Sequence, residues 1–156
     1  MEQVRNVMAE ALSCVVKFLC AKFNRKLEKD KKLFDEFKDE LLPSSTIEYF
    51  REKNFRDPFS YKRLEPIYEI EWEAKKPEFE FLNKKLEKAK KELVSNIIHF
   101  KDVISPYTFL LENDVANDIM QIHENVDEEI IRDIHQTADK ICDKYDELIK
   151  LGRRIL

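Results

Sequence analysis

A single glycine, Gly152, stands in a chain of 156 residues, where average composition would supply about eleven. Glycine is the residue that gives backbone its left-handed turns and its closest approaches to ligands. Phosphate-cradling loops, dinucleotide fingerprints and nucleophile elbows each need several of them, so this chain can build none of the three. With 43% hydrophobic and 38% charged residues, the scarcity predicts long amphipathic helices separated by a few prolines. Gly152 falls inside the pattern of the last such helix and is expected to loosen its final turn before Arg153 and Arg154, because glycine costs a helix up to about 1 kcal/mol relative to alanine.

The apolar spacing supplies the elements. Val4, Val7, Met8, Ala11, Leu12, Val15, Phe18, Leu19 and Phe23 recur close to the helical period. The pattern resumes at Leu33, Phe34, Phe37, Leu41 and Leu42 and stops at Pro43, so residues 1–42 form either one helix or two with a bend near Asn24 to Lys32. Ser45 and Glu48 have the spacing of a capping box and open a short helix to about Lys53. Residues 54–65 read as a loop anchored by Phe55, Phe59 and Tyr61. Tyr68 to Trp72 alternate like a strand, yet no second strand is evident, and a strand alone is unstable. Residues 66–74 are therefore expected as a short helix with Pro66 at its first position.

Pro77, Glu78 and Glu80 suit a helix N-terminus. From there Phe79, Leu82, Leu86, Ala89, Leu93, Ile97, Phe100 and Ile104 form a coiled-coil-like seam, widened by Phe81, Val94 and Ile98. Ser105 and Pro106 end it, residues 107–111 read as an apolar connector, and a short helix is expected over 114–123. Asn125 is the predicted cap of the last helix, with Asp127, Glu128 and Glu129 in its first turn and Lys150, Arg153 and Arg154 in its last. Its buried stripe would be Ile130, Ile134, Ala138, Ile141, Tyr145, Leu148 and Leu151. The sum is an all-α fold: a helical bundle of three long helices plus two or three short ones. It forms a single domain over 1–156, with the bundle core in 33–156 and residues 1–32 as a protruding N-terminal helix.

Chemistry is sparse. His135, Asp139 and Cys142 can share a helix face, but the Glu-x-x-His motif of bundle metal sites is absent: Asn96, Met120 and Arg132 stand three residues before the histidines. Arg132 and His135 are separated by two residues, too few to match the Arg and His pair of helical ribonucleases. No catalytic constellation, metal site or cofactor is expected. Cys14, Cys20 and Cys142 are an odd set, read as buried free thiols of a reducing, cytoplasmic compartment. Ala11 to Ala21 is nearly apolar but holds Lys17 and is flanked by Arg5, Glu10 and Lys22, short of the about twenty apolar residues of a membrane span. The net charge is −4, with residues 112–156 carrying −6 and residues 1–42 and 43–111 carrying +1 each, and that C-terminal acidity argues against DNA as a partner.

Leu42-Pro-Ser-Ser-Thr-Ile47-Glu-Tyr-Phe50-Arg51, Pro77-Glu-Phe-Glu-Phe81-Leu82 and the stretch Tyr145 to Arg154 resemble an uncharacterised family of bacterial all-helical proteins. The resemblance covers about residues 33–156, with Asn54 where that family usually has Asp. It implies a bacterial helical domain, membrane spans ahead of it in some members, and no established activity.

The expected function is a noncatalytic interaction module. Val4, Met8, Leu12, Val15 and Leu19 would bind a second copy or a protein partner. The alternative is a membrane-proximal regulatory or effector component of a bacterial stress or phage-defence system. In that reading Lys26, Lys29, Lys31 and Lys32 contact an anionic surface.

Overall fold

Wherever the sequence carries a long apolar stripe, the computed structural model places a helix. It describes residues 2–111 and 118–156, with side chains from residue 10 onward. The first helix, α1 (Glu2–Glu36), runs without a break through the region where a bend was one of the two expectations. One π-helical turn, Phe37–Leu41, follows and is closed by the Leu42 N–H donating to the Phe37 carbonyl at 2.8 Å.

Two short helices come next. In α2 (Ser44–Glu52) the predicted capping box does not form: the cap position is Pro43, two residues before Ser45, which places Ser45 inside the first turn, and no side chain caps the helix. In α3 (Tyr61–Glu73) Pro66 lies within the helix rather than at its start. The strand-like alternation of Tyr68 to Trp72 is overridden there by the burial of Leu64, Ile67 and Ile70 at three-residue spacing.

The fourth helix, α4 (Lys84–Ile104), begins seven residues later than expected. Pro77–Phe79 is a separate 3-10 turn. The cap is Asn83, whose side-chain oxygen accepts the Lys85 N–H at 2.9 Å and the Leu86 N–H at 3.3 Å. Leu82 thereby leaves the seam and is 44% exposed, while Phe81 turns inward. The last helix, α5 (Glu128–Ile155), has Asp127 rather than Asn125 at its cap position. Among the described residues three long and two short α-helices thus make a predominantly all-α fold, as the periodicity predicts.

A small sheet is the departure from it. Phe59–Ser60 (β1), Thr108–Leu110 (β2) and Ile119–Ile122 (β3) pair antiparallel in the order β1-β3-β2. Phe59 stands opposite Met120, and Phe109 opposite Gln121. The connector at 107–111 and the short helix expected over 114–123 are corrected accordingly; of the latter, 114–117 lie outside the described residues. Runs this short are ambiguous between strand and helix by periodicity alone.

The core runs between α4 and α5 and closes on aromatic rings. Leu86, Leu93, Ile97, Phe100 and Ile104 meet Ile134, Ile141, Tyr145 and Leu148 in one buried cluster. Phe55, fully buried, has ring centroids of Phe50, Phe59 and Phe100 at 5.6, 5.5 and 5.4 Å, within the range in which aromatic pairs attract. Of the cysteines only Cys142 is buried; Cys14 and Cys20 are exposed on α1, because that part of the helix has no body to lie against.

Candidate interaction surface

The end of α1 is fastened to the body by one carboxylate and three apolar side chains. Asp30, 3% exposed, accepts the Leu82 N–H at 2.6 Å on one oxygen and the Asn83 N–H at 2.8 Å on the other. Those N–H groups lie at the entry to α4, so the charge also faces the positive end of that helix. Leu33, Phe34 and Phe37 are buried in the core. Gly152 is buried under Phe34: a Cβ added there would stand 2.2 Å from the ring. The expectation of a loosened final turn is corrected by this contact, for α5 continues to Ile155 and the missing Cβ is what admits the ring of α1.

Upstream the same helix face continues without a body beneath it. Stepping back by threes and fours from Phe34 and Leu33 gives Leu27, Phe23, Leu19, Val16, Val15 and Leu12. Every side chain described from Glu10 to Lys26 is exposed, a span of about 25 Å at 1.5 Å per residue. Leu12 is 63%, Leu19 57% and Phe23 66% exposed. Of the predicted contact residues, Leu12, Val15 and Leu19 therefore share an exposed stripe, and Val4 and Met8 lie among residues whose side chains are outside the described set. Val16 and Phe23 belong to the stripe as well, and their four-residue offsets from Leu12 and Leu19 were present in the sequence.

Where α1 meets the body the stripe runs into a notch of about 240 Å³ lined by Phe23, Lys26, Leu27, Asp30, Leu82, Asn83, Ile155 and Leu156. Nothing local in the sequence links Leu82 or the C-terminal pair to α1. Lys22, Arg25, Lys26, Lys29, Lys31 and Lys32 are all exposed beside the stripe. Of the predicted anionic-surface residues, Lys26 lies at the end of the projecting part of α1, while Lys29, Lys31 and Lys32 flank the anchored Asp30. No helix among the described residues is long and apolar enough to cross a membrane.

The polar residues elsewhere are occupied with structure. His135 Nε2 accepts the Phe55 N–H at 3.0 Å, and the Cys142 thiol faces the Ile47 carbonyl at 3.8 Å. His135, Asp139 and Cys142 therefore do not converge, and no group of three metal-ligating side chains occurs among the described residues. A larger cleft of about 500 Å³ lies beside Lys76, Lys90, Lys91, Val94 and Ile98. Its lysines are engaged in ion pairs, Lys75 with Glu71, Lys76 with Glu73, and Lys90 and Lys91 with Glu87.

Burial pushes the Cys142 thiol up to about 11 and the Tyr68 hydroxyl up to about 12. Each holds its proton more tightly folded than unfolded, so its contribution is complete below the unfolded pKa and is lost as pH rises towards the folded value. Stability should accordingly fall between about pH 9 and 11 from Cys142, and higher still from Tyr68. Urea midpoints across that range measure it. The Cys142→Ala variant should lack the lower part of the decline and keep the upper.

Comparison with protein-family models, with curated proteins and with solved structures finds no match to this chain.

Proposed function

We propose that this chain is a noncatalytic interaction module that self-associates through the projecting part of α1, and that it works in the cytoplasm. The supporting observation is the continuous stripe Leu12, Val15, Val16, Leu19 and Phe23, each more than half exposed on a helix that leaves the body. Their combined exposed area is on the order of 600 Å², at or above the largest apolar patch of a typical monomer. A helix of this kind is marginal in water without packing. A partner supplies that packing.

The test is the double variant Leu12→Glu, Leu19→Glu. Both side chains face solvent in the single chain, so at dilutions where the parent is itself monomeric the two urea midpoints should agree, while at higher concentration the variant keeps the mass of one chain and lacks the parent's gain in stability from association. A variant that keeps the parent's mass contradicts the proposal.

A second reading draws on the six exposed basic side chains beside the stripe. They support contact with an anionic membrane surface, as in a membrane-proximal regulatory or effector component of a bacterial stress or phage-defence system. Flotation with anionic vesicles tests it. Binding should be lost in Lys29→Glu, Lys31→Glu, Lys32→Glu, and retained binding rules the electrostatic anchor out.

A further inference from the structure

Val7 and Phe18 aside, the latter 68% exposed, the large apolar positions of α1 from Val4 to Leu27 read the same in both directions. In sequence they fall at 4, 8, 12, 15, 16, 19, 23 and 27, with steps of four, four, three, one, three, four and four. A parallel pair sets each position against itself and has no use for such symmetry. An antiparallel pair does, because a two-fold axis between 15 and 16 matches positions whose numbers sum to 31. Leu12 then meets Leu19, Val15 meets Val16, and positions 8 and 4 come opposite Phe23 and Leu27.

Charge selects the same arrangement. Residues 22–32 carry six basic and two acidic side chains, and a parallel pair would lay this run against its own copy. With the antiparallel register Lys22 and its copy are about 20 Å apart along the axis at 1.5 Å per residue, beyond the roughly 8 Å screening length of physiological salt. The one unfavourable juxtaposition is Arg5 opposite Lys26. The arrangement also sends the two bodies to opposite ends of the paired helices, whereas a parallel pair would place them side by side.

The five stripe residues expose about 600 Å² per chain, so two copies bring at most about 1,200 Å² from them, the lower edge of stable specific interfaces. The notch of about 240 Å³ between Phe23, Leu27, Leu82, Ile155 and Leu156 adds to this, since the register brings positions 4 to 8 of the second copy to its mouth.

Resting on the reading of α1 as a self-association surface, we infer that two copies pair their α1 helices antiparallel about an axis between Val15 and Val16, each filling the other's notch with its first turns. The occupant of the exposed face is thus a second copy of this chain, in a defined register.

Disulfide trapping separates this inference from the reading beneath it. In chains with Cys14→Ser and Cys20→Ser, one population carries Leu12→Cys and a second, bearing a mass tag, carries Leu19→Cys. Mixed and oxidised, they should yield the mixed disulfide. Leu12→Cys alone should yield almost none, because the two copies of position 12 are about 10 Å apart along the axis, too far to bridge. A product from Leu12→Cys alone, with dimer mass for the unaltered chain, overturns the antiparallel register and leaves self-association standing. A single-chain mass for the unaltered protein overturns both, and vesicle binding by that monomer assigns the face to a membrane instead. Lys26→Glu adds a readout that changes a charge at the rim of the notch and no apolar side chain. It turns the Arg5 and Lys26 repulsion into attraction, so the dimer should tighten about two- to ten-fold, as expected for two exposed ion pairs. Unchanged or weaker association contradicts the register.

Discussion

Replacing Glu87 with alanine should destabilise the protein by about 3–5 kcal/mol, the usual cost of leaving one member of a buried ion pair alone. Lys90 is 2% exposed and its ammonium lies 2.9 Å from a Glu87 carboxylate oxygen. The same oxygen accepts the Phe81 N–H at 2.9 Å, and Lys90 also donates to the Phe79 carbonyl and lies 5.7 Å from the Phe81 ring centroid. One carboxylate thus neutralises a buried cation and holds the irregular stretch that carries Leu82 and Asn83 to Asp30. Urea unfolding measures the loss. The double variant Glu87→Ala, Lys90→Met should recover more than half of it, because the stranded charge is gone. A Glu87→Ala loss below about 1 kcal/mol would place the pair among weak surface bridges instead.

Gly152→Leu should cost about 3 kcal/mol or more, the upper range for overpacking a core. Gly152→Ala is the more telling case. Alanine improves helix propensity by up to about 1 kcal/mol, but its Cβ would fall 2.2 Å from Phe34, a ring only 6% exposed, and overpacking of that kind costs about 1–3 kcal/mol. The net should be destabilising. Phe34→Leu should soften it, so that the two substitutions combined cost less than their sum, as coupled neighbours do. A stabilising Gly152→Ala would show that α1 does not rest on α5 as described.

The stripes of α4 and α5 were legible because burial there follows one helix face: Leu86, Leu93, Ile97, Phe100 and Ile104, then Ile134, Ile141, Tyr145 and Leu148, are all buried. The upstream face of α1 was equally legible as apolar. That it stays exposed was not, since a stripe records what a helix can bury and not what is present to cover it. Helix starts were misplaced where Pro77 and Ser45 carried start signals that their backbone did not use; Asn83 caps α4 instead. The strands escaped notice because β1, β2 and β3 are two, three and four residues long. Gly152 was noticed for its rarity, but its role depends on Phe34, 118 positions away in the chain, and no local pattern carries such a contact. Asp30 was likewise hidden inside a basic run.

Sedimentation equilibrium of the unaltered chain reads the association of α1 without label or substitution. The expected result is a concentration-dependent mass rising to twice the 18.8 kDa of one chain, reverting to one chain in Leu12→Glu, Leu19→Glu. A mass of 18.8 kDa held through the highest concentrations reached would contradict it.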